Sequence, residues 1–338
     1  MLSAAISFTK LKQLSSFTAI IILLLFVGFV SLPGNSLLWC ELQNFGHTPL
    51  FGCIAVLCLY LLRQTDYFKH RHPLKMYFYA AMIALGLGAG IELIQLFTPR
   101  TASVIDFLRD ALGIFSVLSV CIALDLRRQA DKKHIKTIIW QAGLYLVALL
   151  LLVASLFPLL PVSIAYWQRN QAFPVIINFS KPWSEVFLHK QHVHMSIVDT
   201  PARLQTLNGR KIAEMKFDKT GRYQGIAIID PYPDWSAYHH LSVKVYLLAT
   251  SSIYLVLRIS DQQHNQEYTD RYNHAYELKP GWNHLQVSLD KVKRAPAGRL
   301  MNMRHIHKLM LFRINAGLGR QMQPTVKLYM RRIRLLLK

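Results

Sequence analysis

Between Gly86 and Gly113, a run otherwise apolar enough for two membrane spans carries ionisable and amide side chains, GLGAGIELIQLFTPRTASVIDFLRDALG. Glu92 and Gln95 stand i,i+3 and share a helical face, Pro99 ends that helix, Arg100 lies in the turn, and Asp106 and Asp110 stand i,i+4 on the returning helix. His47 opens an earlier apolar run. An acid inside a span costs about 2.5 to 3.5 kcal/mol on insertion scales, so such groups face a protein interior or a wet cavity and find partners there. Three chemistries fit these residues. Arg100 with Asp106 and Glu92 can form a buried ion-pair clamp between helices. Arg100 as phosphate contact and His47 as donor can hold an anionic lipid head group or a polyprenyl phosphate. His47 with the paired acids can act as a general acid/base system on a lipid-linked substrate.

The string of Glu92, Gln95, Phe97, Arg100, Asp106 and Gly113, with His47 ahead of it, resembles the VanZ-like membrane family, known for a member tied to teicoplanin resistance. The likeness covers about the first half of the chain. It departs at one position, since that family usually has Asn four residues after the Asp and this chain has Asp110. The resemblance implies a multi-pass fold in the bacterial cell envelope and a role in envelope or glycopeptide-antibiotic response, without a defined reaction.

Other elements must hold these residues in place. The chain has 338 residues, of which 52% are hydrophobic, with a formal net charge of +21. It is too long for one typical domain and too apolar to be wholly soluble. Apolar runs predict five spans: Ser15 to Leu32, His47 to Leu62, Met76 to Phe97, Ala102 to Leu124 and Ile138 to Leu160. The first is too long for a signal-peptide core and lacks a small-x-small cleavage site, so it reads as retained. Segments after spans two and four are basic, with Arg63, Lys69, Arg71 and Lys75, then Arg127, Arg128, Lys132, Lys133 and Lys136. The positive-inside rule puts these and the amino terminus in the cytoplasm, and everything after span five outside. Gly86, Gly88 and Gly90 would let a neighbouring helix approach closely. Cys40, Cys53, Cys58 and Cys121 lack metal-ligand spacing and read as buried apolar filler.

After Pro161 the composition changes. Val162 to Ala172 reads as a linker with Tyr166 and Trp167 suited to a membrane interface. From Phe173, eight short runs rich in Val, Ile, Tyr, Leu and Phe, separated by turns, predict an antiparallel β-sandwich. Alternation is clearest in Ser242 to Tyr246 and in Lys327 to Leu335. The order of Ile176-Ile177-Asn178-Phe179, Asp234-Trp235-Ser236-Ala237-Tyr238, Leu278 to Asn283 and a closing strand is similar to galactose-binding-like, carbohydrate-binding-module-like jelly rolls. That resemblance implies a glycan ligand on exposed aromatics or an adaptor without sugar.

Trp235 and Trp282 stand where core packing is expected. Tyr268, Tyr272, His274 and Tyr276, with Arg258 and Asp261 on a nearby strand, form the candidate sugar platform, against a plain solvent-facing sheet. His189, His192 and His194 have only Glu185 as a neighbouring acid, and no metal site is assigned. No Gly-x-Ser-x-Gly, HExxH or cysteine-pair motif occurs. After Ala165 lie 26 of the 39 Lys and Arg and 11 of the 18 acids, so an anion is the expected partner. The extracytoplasmic placement disfavours nucleic acid.

The sequence thus reads as an α-helical transmembrane bundle with five spans over residues 1–162, a linker over 163–172 and an all-β antiparallel jelly-roll sandwich over 173–338. It is expected in the bacterial cytoplasmic membrane, multi-pass, with the carboxy-terminal domain outside. Its partners are membrane lipids and an envelope glycan or lipid-linked phosphate, no cofactor is expected, and the role is that of a non-catalytic binding protein. The alternative is a membrane enzyme acting on a polyprenyl-phosphate or phospholipid-linked substrate.

Overall fold

Long apolar stretches without turn residues fold as helices in the first part of the chain. These are α1 (Leu2–Phe29), α2 (Leu37–Phe45), α3 (His47–Arg63), the single-turn α4 (Asp66–Lys69), α5 (Pro73–Gln95), α6 (Val104–Gln129) and α7 (Ile135–Leu156). The structure, a computed structural model, describes residues 2–29, 34, 36–69, 72–97, 103–129, 135–202, 204, 211–217, 221, 223–314 and 326–337. It divides into two units, Met1–Pro161 and Val162–Lys338.

Among the described residues, Leu37–Arg63, Pro73–Gln95, Val104–Arg128 and Ile135–Leu156 are long and apolar enough to cross a membrane. The expected span over Ser15 to Leu32 falls on α1, which ends at Phe29, and is not one of these four. The loop expected before His47 is largely helical. Ser36 accepts a hydrogen bond from the Trp39 N–H at 3.2 Å and so starts α2. Only Gly46, itself in right-handed helical conformation, separates α2 from α3, so His47 lies inside a nearly continuous helix. Pro73 begins α5 and the Ser103 hydroxyl accepts from the Asp106 N–H at 3.3 Å at the start of α6. Asp106 in the first turn of α6 and Arg127 and Arg128 in its last turn complement the helix dipole.

The helical core joins Ile20 of α1, Phe51, Ile54, Ala55 and Cys58 of α3, Ala80, Ala81 and Ala84 of α5, and Ile114 and Leu118 of α6. Small residues on α5 give α3 room to approach. The α3–α6 crossing is tighter still. A Cβ at Gly113 would lie 1.9 Å from the Thr48 carbonyl oxygen, and one at Gly52 would lie 2.7 Å from a Val117 methyl. At this crossing the Thr48 hydroxyl donates to the Arg109 carbonyl at 3.3 Å. Of the α5 glycines, a Cβ at Gly88 would lie 3.0 Å from an Asp110 oxygen, while one at Gly86 or Gly90 would meet no described atom within 4 Å. Cys58 is buried, but Cys40 and Cys53 are exposed, against expectation. On α7 only Ala148 and Ser155 are buried; the exposure of Ile138, Ile139, Trp140, Leu149 and Leu150 suits a lipid surrounding.

The second unit begins with the rest of α8 (Leu159–Ala172), so the expected linker is helical. Tyr166, read from sequence as an interface residue, donates its hydroxyl to Asp230 Oδ2 at 2.7 Å; Trp167 is exposed. Arg169 lies 4.4 Å over the Tyr166 ring and donates to the Asp230 carbonyl at 2.7 Å. The strands are β1 (Val175–Asn178), β2 (Leu188–Gln191), β3 (Val193–Asp199), β4 (Lys211–Phe217), β5 (Tyr223–Ile229), β6 (His240–Leu248), β7 (Ile253–Asp261), β8 (Tyr272–Leu278), β9 (Gly281–Ser288), β10 (Ile306–Ile314) and β11 (Lys327–Leu336). Short helices α9 (Trp183–Val186) and α10 (Leu289–Lys293) interrupt them. One sheet runs β3-β4-β11-β6-β9, with β1 also pairing β11, and the other runs β2-β5-β10-β7-β8; every pair is antiparallel.

Period-two burial builds the core, from Leu241, Val243, Val245 and Leu247 of β6 and Leu255, Leu257 and Ile259 of β7. A bulge in β11 between Met330 and Ile333 breaks the alternation read over Lys327 to Leu335. Trp235 is fully buried and donates its indole N–H to the Tyr232 carbonyl at 2.7 Å. Trp282, on the edge strand β9, is 42% exposed and meets the Tyr246 ring edge-to-face at 5.3 Å.

The α3–α6 crossing sets a first test. Gly113→Val should lower the stability of the helical unit by about 1 to 3 kcal/mol through overpacking, whereas Gly86→Ala and Gly90→Ala should be neutral or slightly stabilising. Thermal melting of the purified protein in detergent measures this, and an unchanged Gly113→Val midpoint would contradict the crossing.

Candidate functional site

The helical unit gathers three of the six polar residues singled out in the sequence, His47, Glu92 and Asp110. His47 Nδ1 lies 3.0 Å from Asp110 Oδ1, with both side chains almost fully buried. Glu92 on α5 accepts from the Ser103 N–H at 2.6 Å through one oxygen, while its other oxygen is buried without a hydrogen-bond partner among the described residues. Gln95 is buried one turn further along α5. Arg100 lies outside the described residues. Asp106 does not join His47: it accepts from Arg109 Nη1 at 2.8 Å, and Arg109 Nη2 reaches Glu41 on α2 at 2.9 Å. Sequence reasoning missed Arg109 and Glu41. The signal for Arg109 was its i,i+3 spacing from Asp106.

Ligand atoms of His47, Glu92 and Asp110 all lie within 4.8 Å of one another. A divalent cation there would have to replace the His47–Asp110 hydrogen bond, so the arrangement as it stands is a buried acid–imidazole pair that ties α3 to α6. At the other end of these helices, Arg63 donates to Tyr77 at 3.0 Å and pairs with Asp125, which also accepts from the Tyr77 hydroxyl at 2.5 Å.

The β-unit separates its predicted platform into two faces. Tyr272, His274 and Tyr276 are paired with Ile259, Leu257 and Leu255, so they point to the core side of the five-stranded sheet at its edge. Tyr272 is buried and its hydroxyl meets that of Tyr276 at 2.8 Å; His274 meets the Tyr276 ring at 4.6 Å. Arg258 is paired with Asn273 and points to the opposite, outer face. In a pleated ladder the register decides the face, and Arg258 falls one residue out of step with the tyrosines.

On that outer face lies a cleft of about 380 Å³. A row of paired residues, His189, Ala227, Met310, Arg258 and Asn273, crosses all five strands, and a second row of Gln191, Gly225, Phe312 and Val256 runs beside it. Gly225 and Ala227 make the floor low, and the larger side chains on β2, β10 and β7 form the walls. Tyr223 sits edge-to-face with Phe312 at 5.8 Å, and Arg258 lies over the Phe312 ring at 4.9 Å. Arg271 and Lys308 complete the lining. A second hollow of about 620 Å³ near Trp235 is lined by mixed charges, including Asp290 and Lys293. His189 lies in the cleft, His192 in the turn that follows, and His194 on β3 of the other sheet, so the three histidines do not converge.

The loop between β7 and β8, which carries Tyr268, is clamped from below. Asp261 accepts a bidentate pair from Arg299 at 2.7 and 2.8 Å and the Asn302 N–H at 2.7 Å. Asp270 accepts from Arg299 at 2.5 and 3.0 Å and from the Asn265 N–H at 2.9 Å. Burial raises the Asp261 carboxyl most of any single cause, but the Arg299 hydrogen bonds, the Asn302 N–H and the Arg299 charge together hold it below its usual value. The same arginine, with the Asn265 N–H, holds Asp270 down at about 2. Asp261 therefore belongs to this clamp and not to a sugar platform.

No family model matches the sequence, and no curated protein matches it. Among solved structures, the C-terminal half resembles carbohydrate-binding-module jelly rolls in fold. The family 11 carbohydrate-binding module from Clostridium thermocellum, in complex with a β-1,3-1,4-mixed-linked tetrasaccharide, shares 12% identity over 48% of this chain and 94% of that one, with a TM-score of 0.37. The CBM22-1 and GH10 modules of a Clostridium thermocellum endo-1,4-β-D-xylanase, complexed with xylohexaose, share 11% identity over 48% of this chain and 27% of that one, at 0.32. The CBM22-1 xylan-binding domain from Paenibacillus barcinonensis shares 14% identity over 45% of this chain and 86% of that one, at 0.30.

Because Asp270 is depressed below its ordinary 3.8, its contribution to stability is complete above about pH 4 and is lost as pH falls through about 2. Arg299→Ala strands two buried carboxylates and should cost about 3 kcal/mol, the low end for a broken buried pair since the arginine is partly exposed. Chemical denaturation of the variant, followed by tryptophan fluorescence at pH 7 and pH 3, should show that loss and a shallower fall in stability on acidification. Equal stability of variant and wild type at pH 7 would remove the clamp from the argument.

Proposed function

We propose that the protein is a membrane-anchored, non-catalytic glycan-binding protein of the bacterial cell envelope, holding a saccharide in the cleft on the five-stranded sheet. The carrying observation is the composition of that cleft. Tyr223 and Phe312 offer apolar ring surface beside the low floor of Gly225 and Ala227, and His189, Gln191, Arg258 and Lys308 offer hydrogen-bonding groups around it. A sugar presents that same pairing of apolar ring faces and hydroxyl edges. Arg258, of the residues predicted from sequence, belongs to this site; the Tyr272, His274 and Tyr276 face does not line the cleft.

In this reading the helical unit is VanZ-like, on the strength of the Glu92-to-Gly113 string. Its support is local, since His47, Asp110 and Gly113 all serve the α3–α6 contact. Helix α1 is a fifth span beside the four apolar helices. The basic segments around Arg63 to Lys75 and Arg127 to Lys136 face the cytoplasm and the β-unit faces outward. The polar cluster is then a helix clamp near the outer surface, built as Asp106–Arg109–Glu41 and His47–Asp110.

Two experiments examine this function. Ala227→Phe fills the cleft floor with no change of charge, and should reduce binding of cell-envelope glycans to the detergent-purified full chain at least ten-fold while leaving its melting temperature near that of wild type. Undiminished binding would move the site elsewhere. For orientation, an impermeant thiol reagent applied to intact cells, in a background without the four cysteines, should modify Gln263→Cys and spare Arg128→Cys. The reverse pattern would overturn the topology.

A further inference from the structure

The cleft holds more positive charge than a neutral sugar needs. Arg258, Arg271 and Lys308 line it, with His189 beside them, and no Asp or Glu does. None of these three cations forms an ion pair among the described residues. Arg258 donates from Nε to Asn273 at 3.3 Å and otherwise rests on the Phe312 ring. Arg271 lies 5.3 Å over the Tyr268 ring, and its Nε is buried without a hydrogen-bond partner among the described residues. Burial, and then the neighbouring Arg271, pull the Arg258 guanidinium below its ordinary pKa. Of the acids nearby, Asp261 and Asp270 are held by Arg299, and Glu185 by Lys190.

Two like charges kept together on aromatic backing, with a buried donor unmatched, form a receptor for an anion with planar or tetrahedral oxygens. Cation–π contacts orient the guanidiniums without neutralising them. We propose that the cleft takes an acidic saccharide, one bearing a carboxylate or sulfate group, with Arg258 and Arg271 as the partners of that group and Tyr223 and Phe312 against the sugar ring. This rests on the reading of the cleft as a glycan site.

The test uses the full-length protein in detergent micelles and titration calorimetry with four probes: an oligogalacturonide, the same oligosaccharide fully methyl-esterified, a sulfated heparin-type oligosaccharide, and vesicles of anionic phospholipid. The proposal expects at least one of the two acidic saccharides to bind at least ten-fold more tightly than the ester. The arm that binds identifies the group as carboxylate or sulfate. Binding should fall at least ten-fold in Arg258→Gln with Arg271→Gln, and equally in Ala227→Phe, which changes no charge. It should persist in Lys244→Gln with Lys291→Gln, which removes two positive charges away from the cleft lining, so that general attraction to a basic domain is distinguished. Equal binding of acid and ester, lost in Ala227→Phe but kept in the arginine variant, would overturn the acidic ligand and leave the glycan site standing. Saccharide binding unaffected by Ala227→Phe, or no saccharide binding at all, would overturn both. Arginine-dependent binding of the vesicles without either saccharide would replace the glycan by a lipid head group.

Discussion

A charge removed from water must be answered where it lies, and that constraint fixes much of this molecule. In the helical unit Arg109 is answered by Asp106 and Glu41, and Asp110 by His47, so α2, α3 and α6 are joined by polar contacts among apolar side chains. In the β-unit Arg299 answers Asp261 and Asp270 together, and Arg169 of α8 is answered by the Asp230 carbonyl and the Tyr166 ring. Glu214 on β4 accepts from Tyr329 at 2.6 Å and pairs with Lys216 at 3.0 Å. Each answer pins one element to another. Arg258 and Arg271 depart from the pattern, since they are partly buried neighbours that, among the described residues, are backed by rings and one amide and no acid.

Much of the fold was legible because burial follows simple periods. The eight apolar runs after Phe173 all lie in strands, since branched and aromatic residues alternating with polar ones have one stable use on a half-buried sheet. Strands β2, β3 and β8 were not among those runs. Leu188-His-Lys-Gln191 has a single apolar residue and is placed by its ladder to β5, and Val193–Asp199 by its ladder to β4. Those are pairings that local pattern cannot reveal. The helix α2 was hidden for a similar reason, because a short run after Pro33-Gly34 looks like a loop until Ser36 is seen to cap it.

The site was less legible than the fold. The polar run of α5 and α6 pointed to His47, Glu92 and Asp110, which do converge, because helical spacing fixes which side chains share a face. Arg109 was overlooked in favour of Arg100, a turn residue that looked better placed to reach two helices. In the sandwich, Tyr272, His274 and Tyr276 share one face of β8, yet alternation could not give the register against β7 that puts Arg258 on the other side. Nor could it show that Gly225 and Ala227, unremarkable in a strand, leave a trough between larger neighbours on β2 and β10.

The trough and the clamp together explain why the cleft keeps its shape. A side chain at Gly225 would meet the Leu311 carbonyl at 2.1 Å, so β5 can sit where it does against β10 only with glycine at that point. On the far wall, Arg271 follows directly after Asp270, and the Arg299 network fixes Asp270 to Asp261 at the end of β7. Asn273 then links the two sides of the loop, accepting from Arg258 at 3.3 Å and donating to the Tyr268 hydroxyl at 3.0 Å. The two guanidiniums are thus placed by the Phe312 and Tyr268 rings and by Asn273, contacts that do not depend on a ligand. A site ordered in advance in this way spends little of its binding energy on arranging long cationic side chains, each of which would otherwise lose about 0.5 to 1.5 kcal/mol of rotamer freedom. The positive pair is accordingly a built feature of the β-unit, with Arg258 held on β7 by Phe312 and Asn273 and Arg271 next to Asp270 of the Asp261–Arg299–Asp270 network.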